Sequence, residues 1–188
     1  MLSLAQKKKK TFYFNIEKND TDDFADALYD LLTKQLSNGQ EIILLCVGSD
    51  RATGDCLGPI VGYKLGMHHP DILIYGSLKH PVHAKNLDET ILYLKKQHPG
   101  AFVIAIDASL GVPEHIGYVT LGNGPLKPGI GVDKNLPSVG NLYITGIVNS
   151  SGLGGHSRLQ TTRLGMVMRL ADFISDGILM ALQSLHLL

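Results

Sequence analysis

Two aspartates close apolar, strand-like runs in this chain, and carboxyl groups so placed suit either paired acid–base chemistry or metal binding. Asp55 lies in Gly48-Ser49-Asp50-Arg51-Ala52-Thr53-Gly54-Asp55-Cys56-Leu57-Gly58-Pro59, shortly after the run Glu41–Val47. Asp107 directly follows Val103-Ile104-Ala105-Ile106. In an open α/β sheet the carboxyl ends of parallel strands gather along one edge, and ligands bind in the crevice there. Two carboxyl groups meeting at that edge cannot both ionise easily, so one keeps a proton while the other carries the charge. Asp107 begins at a dry boundary, where burial raises its pKa. Asp55 falls in the first turn of an expected helix, where the helix dipole favours its charged form.

Other residues could serve the same crevice. Asp50 shares the Gly48–Gly54 loop with the approach to Asp55, and its alternative role is turn capping. Lys127, on a Gly/Pro-rich stretch, could reach the acidic pair and stabilise a negative intermediate, and His83 is a further substrate-binding candidate. A divalent metal held by Asp55, Asp107 and a histidine (His83 or His156) is the alternative to a cofactor-free pair, although no close His-x-x-x-His spacing supports it. Cys56 could be an activated thiol near a helix start but has no evident histidine partner, and Cys46 reads as a small core residue. Gly152, Gly154 and Gly155 could cradle an anion or simply form a tight loop.

The elements that must carry these residues alternate between strand and helix. Glu41–Val47 and Ala101–Ile106 are nearly continuous apolar runs, as expected of strands buried on both faces. Ile72–Tyr75 and Leu142–Val148 read as further strands, and Ile116–Leu121 as a shorter one, antiparallel and near an edge. Helical spacing marks a helix starting near Asp20–Asp23 and ending at Asn38-Gly39, and a second from about Asp55 to His68 with Thr53 or Gly54 as its cap. A third helix runs through Leu87–Leu94, and a long last one from about Leu159 to Leu185. Gly122–Gly140 is a long ordered loop of the kind that often forms a binding wall. The class is α/β: a three-layer α/β/α sandwich around a mostly parallel, mixed sheet.

The 188 residues read as one domain, 1–188, with residues 1–20 as a flexible N-terminal arm carrying Lys7-Lys8-Lys9-Lys10. The 17 basic residues balance the 17 acidic ones, so the chain has no general attraction to nucleic acid or anionic membrane. No run approaches the roughly 18 apolar residues of a membrane span. Met1–Ala5 is too short for the apolar part of a secretory signal, and the lysines follow it. With two cysteines and no such signal, the expected compartment is the cytoplasm.

The segment GSDRATGDCLGP resembles the G-N-x5-D-x-L-G-P signature of the spore germination protease, an aspartic-type endopeptidase, with Ser49 in place of the signature Asn and Gly54 in place of a Pro. IDASLG resembles that family's I-D-A-L-A motif, and Lys127-Pro128-Gly129-Ile130-Gly131-Val132 its P-G-x-G-V loop. Hydrogenase maturation endopeptidases share the spacing more loosely. TGDCLGP, HPVHAKNL, GPLKPGIGV, GIVNSSG and LQTTRL are similar to the YyaC-type sporulation proteins, the likeness covering about residues 41–185. This resemblance implies a phosphorylase/hydrolase-like fold and a sporulation-associated hydrolase whose catalytic aspartates fall on Asp55 and Asp107. A peptide or protein substrate is expected, with assembly into a homo-oligomer open. A peptide- or partner-binding sporulation protein without catalysis, or a metal-dependent endopeptidase, is the alternative function.

Overall fold

The computed structural model describes residues 10–18, 21–129 and 136–188. Six strands form one sheet: β1 (Thr11–Asn15), β2 (Ile42–Cys46), β3 (Leu73–Tyr75), β4 (Phe102–Gly111), β5 (Tyr118–Asn123) and β6 (Leu142–Ser150), in the spatial order β1-β5-β6-β4-β2-β3. The neighbours β3, β2, β4 and β6 run parallel, while β5 is antiparallel to both β6 and β1. The helices are α1 (Thr21–Gln35), α2 (Leu57–His68), α3 (Leu87–Gln97), α4 (Gly155–Gln160) and α5 (Leu164–Ser184). Among the described residues, no helix is long and apolar enough to cross a membrane.

Strand alternation divides the core into two layers. Leu44 and Cys46 of β2, with Ile104 and Ile106 of β4, face α1, α2 and α5 through Phe24, Leu28, Leu57, Val61, Leu170 and Ile174. Ile43, Leu45 and Ala105 face the other way, onto Leu87 and Leu94 of α3 and onto Leu126 and Val139 of the long connection. Both faces of the central strands are therefore covered, which is why their sequences are continuously apolar rather than alternating. The expected three-layer α/β/α arrangement with a mixed sheet is the one observed.

Four local expectations are corrected. The expected flexible arm contains β1: residues 11–15 pair with β5, and Phe14 is buried against Phe24. Apolar burial by Phe12 and Phe14 outweighs the fraying suggested by the preceding lysines, of which only Lys10 lies within the described residues. The last helix is two helices: Thr161 and Thr162 turn back to donate their hydroxyls to the carbonyls of Ser157 and Arg158, and α5 begins at Leu164. Side-chain bonds of this kind compete with helix continuation. Thr53 makes no side-chain cap; Gly54–Cys56 instead forms a 3-10 turn leading into α2. Finally, Asp107 does not lie past the end of a strand but is the sixth residue of the ten-residue β4, because β6 continues to pair with Asp107–Gly111 beyond the apolar run. The long connection after β5 is closed by an antiparallel bridge between Leu126 and Val139; Ile130–Val132 of its Gly-rich motif, and Asp20 before α1, lie outside the described residues.

Helix α2 packs with its backbone almost against β2. A Cβ on Gly58 would stand 2.1 Å from the Val47 carbonyl oxygen, and one on Gly62 would stand 1.9 Å from that of Gly76. Backbone cannot yield as a flexible side chain does, so Gly58→Ala is expected to destabilise the protein by about 1–3 kcal/mol, measured by urea unfolding. The same close fit holds Asp55, three residues earlier, against the sheet edge.

Candidate functional site

Asp55 is placed by a tight reversal at the end of β2. Gly48, with φ +139°, donates its N–H to the Val82 carbonyl (2.7 Å), and Ser49 N–H donates to the Asp55 carbonyl (3.0 Å). A Cβ at Gly48 would stand 2.1 Å from that same Asp55 oxygen, so only glycine allows the loop to fold back this far. The 3-10 turn then sets Asp55 at the entrance to α2.

Asp107 comes from the neighbouring strand. β2 and β4 pair in register up to Cys46 and Ile106, so Asp107 is the first β4 residue beyond the end of β2. It is 7% exposed. Its Oδ1 accepts the N–H of Ala108 at 2.8 Å. Burial, and secondarily the negative charge of Asp55, hold the Asp107 carboxyl well above the usual carboxylate range, against the weaker opposing effect of the Ala108 bond. Both aspartates line one cavity of about 820 Å³. Thr145, the register partner of Asp107 on β6, lines it too. Thr145 Oγ1 is bonded to the hydroxyls of Ser109 (3.2 Å) and Thr120 (2.7 Å), a small polar network under the floor of the cavity.

The rest of the wall is loop and helix. Leu126, Lys127 and Gly129 enter from the long connection, and Ser151–Gly155 with Leu159 from the segment between β6 and α4. Asn149, at the end of β6, ties that segment down: its Nδ2 donates to the Arg158 carbonyl (2.9 Å) and to Thr162 Oγ1 (3.2 Å). Arg158 in turn donates to Ser150 Oγ.

Of the five residues expected at the site, the fold brings together Asp55, Asp107 and Lys127. Asp50 and His83 do not line this cavity. Asp50 is exposed, and its charge is felt at the Cys56 thiol. His83 is carried by the segment beside Val82 into a separate hollow with Tyr75 and His80, one strand further along the edge. His156 is exposed on α4. Among the described residues, no three His, Cys, Asp or Glu side chains gather where they could hold a metal ion. Ser109, Thr145 and the leucines of the wall were not anticipated. The alternation of Asp107 and Ser109 along β4 is the one signal that pointed to any of them.

Cys56 is half-buried next to Asp55, and burial followed by the charges of Asp50 and Asp55 pushes its thiol up. A raised pKa suppresses the thiolate needed for nucleophilic attack. Cys56 is therefore expected to be alkylated by iodoacetamide more slowly than free cysteine at neutral pH, as followed by intact mass. The buried Cys46 thiol is pushed up to about 12 and belongs to the core.

Comparison with known proteins gives this site a family. A Bacillus subtilis (strain 168) protein titled "Uncharacterized protein YyaC" is 48% identical over 141 residues, covering 74% of this chain and 69% of that protein. Among solved structures, the NiFe hydrogenase maturation protease HycI from Thermococcus kodakarensis KOD1 matches 81% of this chain and 98% of its own, at 15% identity and a TM-score of 0.44. That likeness is too loose to carry any chemistry across. With a match running from residue 13 to residue 177, the chain belongs to the family described as "Protein of unknown function (DUF1256)".

Proposed function

We propose that this protein is a sporulation-associated peptidase that hydrolyses a peptide bond with Asp107 as general acid and Asp55 as general base. The observation that carries the reading is a buried carboxyl group, Asp107, lining the same cavity as a second acid whose negative charge it feels. Such a pair divides its roles by environment. Asp107, in the drier position, keeps its proton. Asp55, at the entrance to α2, carries the charge, favoured by the helix dipole. A water molecule between them would lose a proton to Asp55 as its oxygen attacks the peptide carbonyl carbon. Asp107 would give its proton to the carbonyl oxygen, forming a tetrahedral intermediate. Collapse of that intermediate breaks the C–N bond: the proton held by Asp55 passes to the leaving nitrogen, and Asp107 takes one back from the hydroxyl that becomes the product carbonyl. Lys127, exposed at the rim of the cavity, would favour the partial negative charge on the carbonyl oxygen while the Asp107 proton is still in transit.

The motif likeness to the spore germination protease supports the same assignment, since that family's two catalytic aspartates fall on Asp55 and Asp107. No metal enters this reading. The direct test is to incubate the purified protein with small acid-soluble spore proteins from pH 4 to pH 9 and to follow fragments by mass spectrometry. Discrete cleavage that disappears in Asp107→Asn is expected. Tight binding without cleavage anywhere in that range would instead make the protein a peptide-binding module.

A further inference from the structure

Besides the two carboxyl groups, four leucines line the cavity. Leu110, Leu126 and Leu159 line the cavity, the last two of them buried, and Leu153 stands at its edge. Leu153 is 99% exposed, more than any other large apolar residue among the described residues. It sits between Gly152 (φ +138°) and Gly154 (φ +78°), two positions in the left-handed region that favours glycine. That backbone turns the leucine outward at the mouth of a cavity that three further leucines line. The segment carrying it is not loose: Asn149 and Arg158 anchor its two ends through the bonds described above. A leucine held this way in water gains burial only when something apolar enters the cavity.

We infer that the cavity selects peptides carrying a large aliphatic or aromatic side chain beside the bond held between Asp55 and Asp107, and that Leu153 is the residue this side chain covers. The inference rests on the peptidase reading and names its substrate class. Peptide backbone lies toward Asp55, Asp107 and Thr145, where polar groups meet it. The selected side chain lies toward Leu153 and Leu159, which come from the one segment after β6. An acidic side chain at that position would lose its hydration against leucine and add a second negative charge near that of Asp55, so acidic peptides are disfavoured twice over.

The test uses the full chain and a panel of blocked pentapeptides, acetyl-Ala-Ala-X-Ala-Ala-amide, with X as Leu, Phe, Ser, Lys or Asp. Cleavage is read by mass spectrometry. The Leu and Phe peptides are expected to show kcat/KM about ten-fold or more above the Ser peptide, the scale set by burying one such side chain. Leu153→Ser is expected to shrink the Leu-to-Ser ratio by about ten-fold, mainly through KM. Equal cleavage of all five peptides would overturn this inference and leave the peptidase reading standing. Should no peptide be cut, the peptidase reading fails and binding decides the inference. Titration of the same peptides into Asp107→Asn, followed by leucine methyl NMR, should then shift Leu153 and Leu159 with the Leu peptide and not with the Ser peptide. No such shifts would overturn it.

Discussion

Asp107→Asn is expected to lower kcat/KM for peptide hydrolysis by about 10²–10⁴-fold, the range typical of losing one general acid–base partner. The amide keeps the shape of the protonated carboxyl and its bond from Ala108, so the fold should persist, with an unchanged far-ultraviolet circular dichroism spectrum. What disappears is the acidic proton, which an amide cannot deliver. Asp55→Asn removes the base and should cost a similar factor. The two residues act on one proton inventory, so their losses should not multiply. The double variant is expected to be no more than a few fold slower than the slower single variant. Retention of more than about a tenth of wild-type activity in Asp107→Asn would remove it from the chemistry.

Activity should fall steeply with alkali, and conformational stability should fall with it. Catalysis needs Asp107 protonated, and burial together with the Asp55 charge raises its folded pKa. As pH climbs through that raised value the acid is lost, and kcat/KM should decline by about ten-fold per pH unit. The acid limb reports protonation of Asp55, and the two limbs belong to the coupled pair rather than to either residue alone. For stability, the unfolded chain releases the Asp107 proton near its ordinary pKa of about 3.9. Between that point and the folded pKa the native state binds more protons than the unfolded state. The Asp107 contribution is therefore fully present below the ordinary pKa and is lost as pH rises through the folded one. The slope is at most about 1.4 kcal/mol per pH unit. Asp107→Asn removes this group from the balance, so its urea midpoint should vary less between pH 5 and pH 8 than that of the wild type. An equal variation in both proteins would contradict the assignment.

The parts of this molecule that were legible in the sequence are those governed by local pattern. Ile42–Cys46 and Phe102–Ile106 are apolar throughout because both faces of the central strands are covered, and that alone implies a parallel core. The antiparallel β5 was legible from its short run beside a Gly/Pro-rich stretch. What pattern could not show was strand order. Asp55 and Asp107 meet because β3 is placed outside β2, leaving β4 free to lie beside it. The strand length that buries Asp107 was equally hidden. Ala108 and Ser109 look like loop residues in sequence, yet pairing with Gly146 and Ile147 keeps them in β4. Asp50 is a candidate through its place in the loop before Asp55 but is exposed there, and His83, beside Val82, lies in a separate hollow. β1 is not legible in the sequence because a five-residue strand following a lysine run has too little alternation, and its stability comes from α1 and β5 rather than from itself.

The measurement closest to the central claim is the titration of the Asp107 carboxyl carbon by NMR in the folded protein and in Asp55→Asn. The account predicts a wild-type midpoint well above the ordinary aspartate value. It also predicts a partial fall in the variant, with the burial contribution remaining once the neighbouring charge is gone. A midpoint near 4, or one unmoved by removing the Asp55 charge, would contradict it.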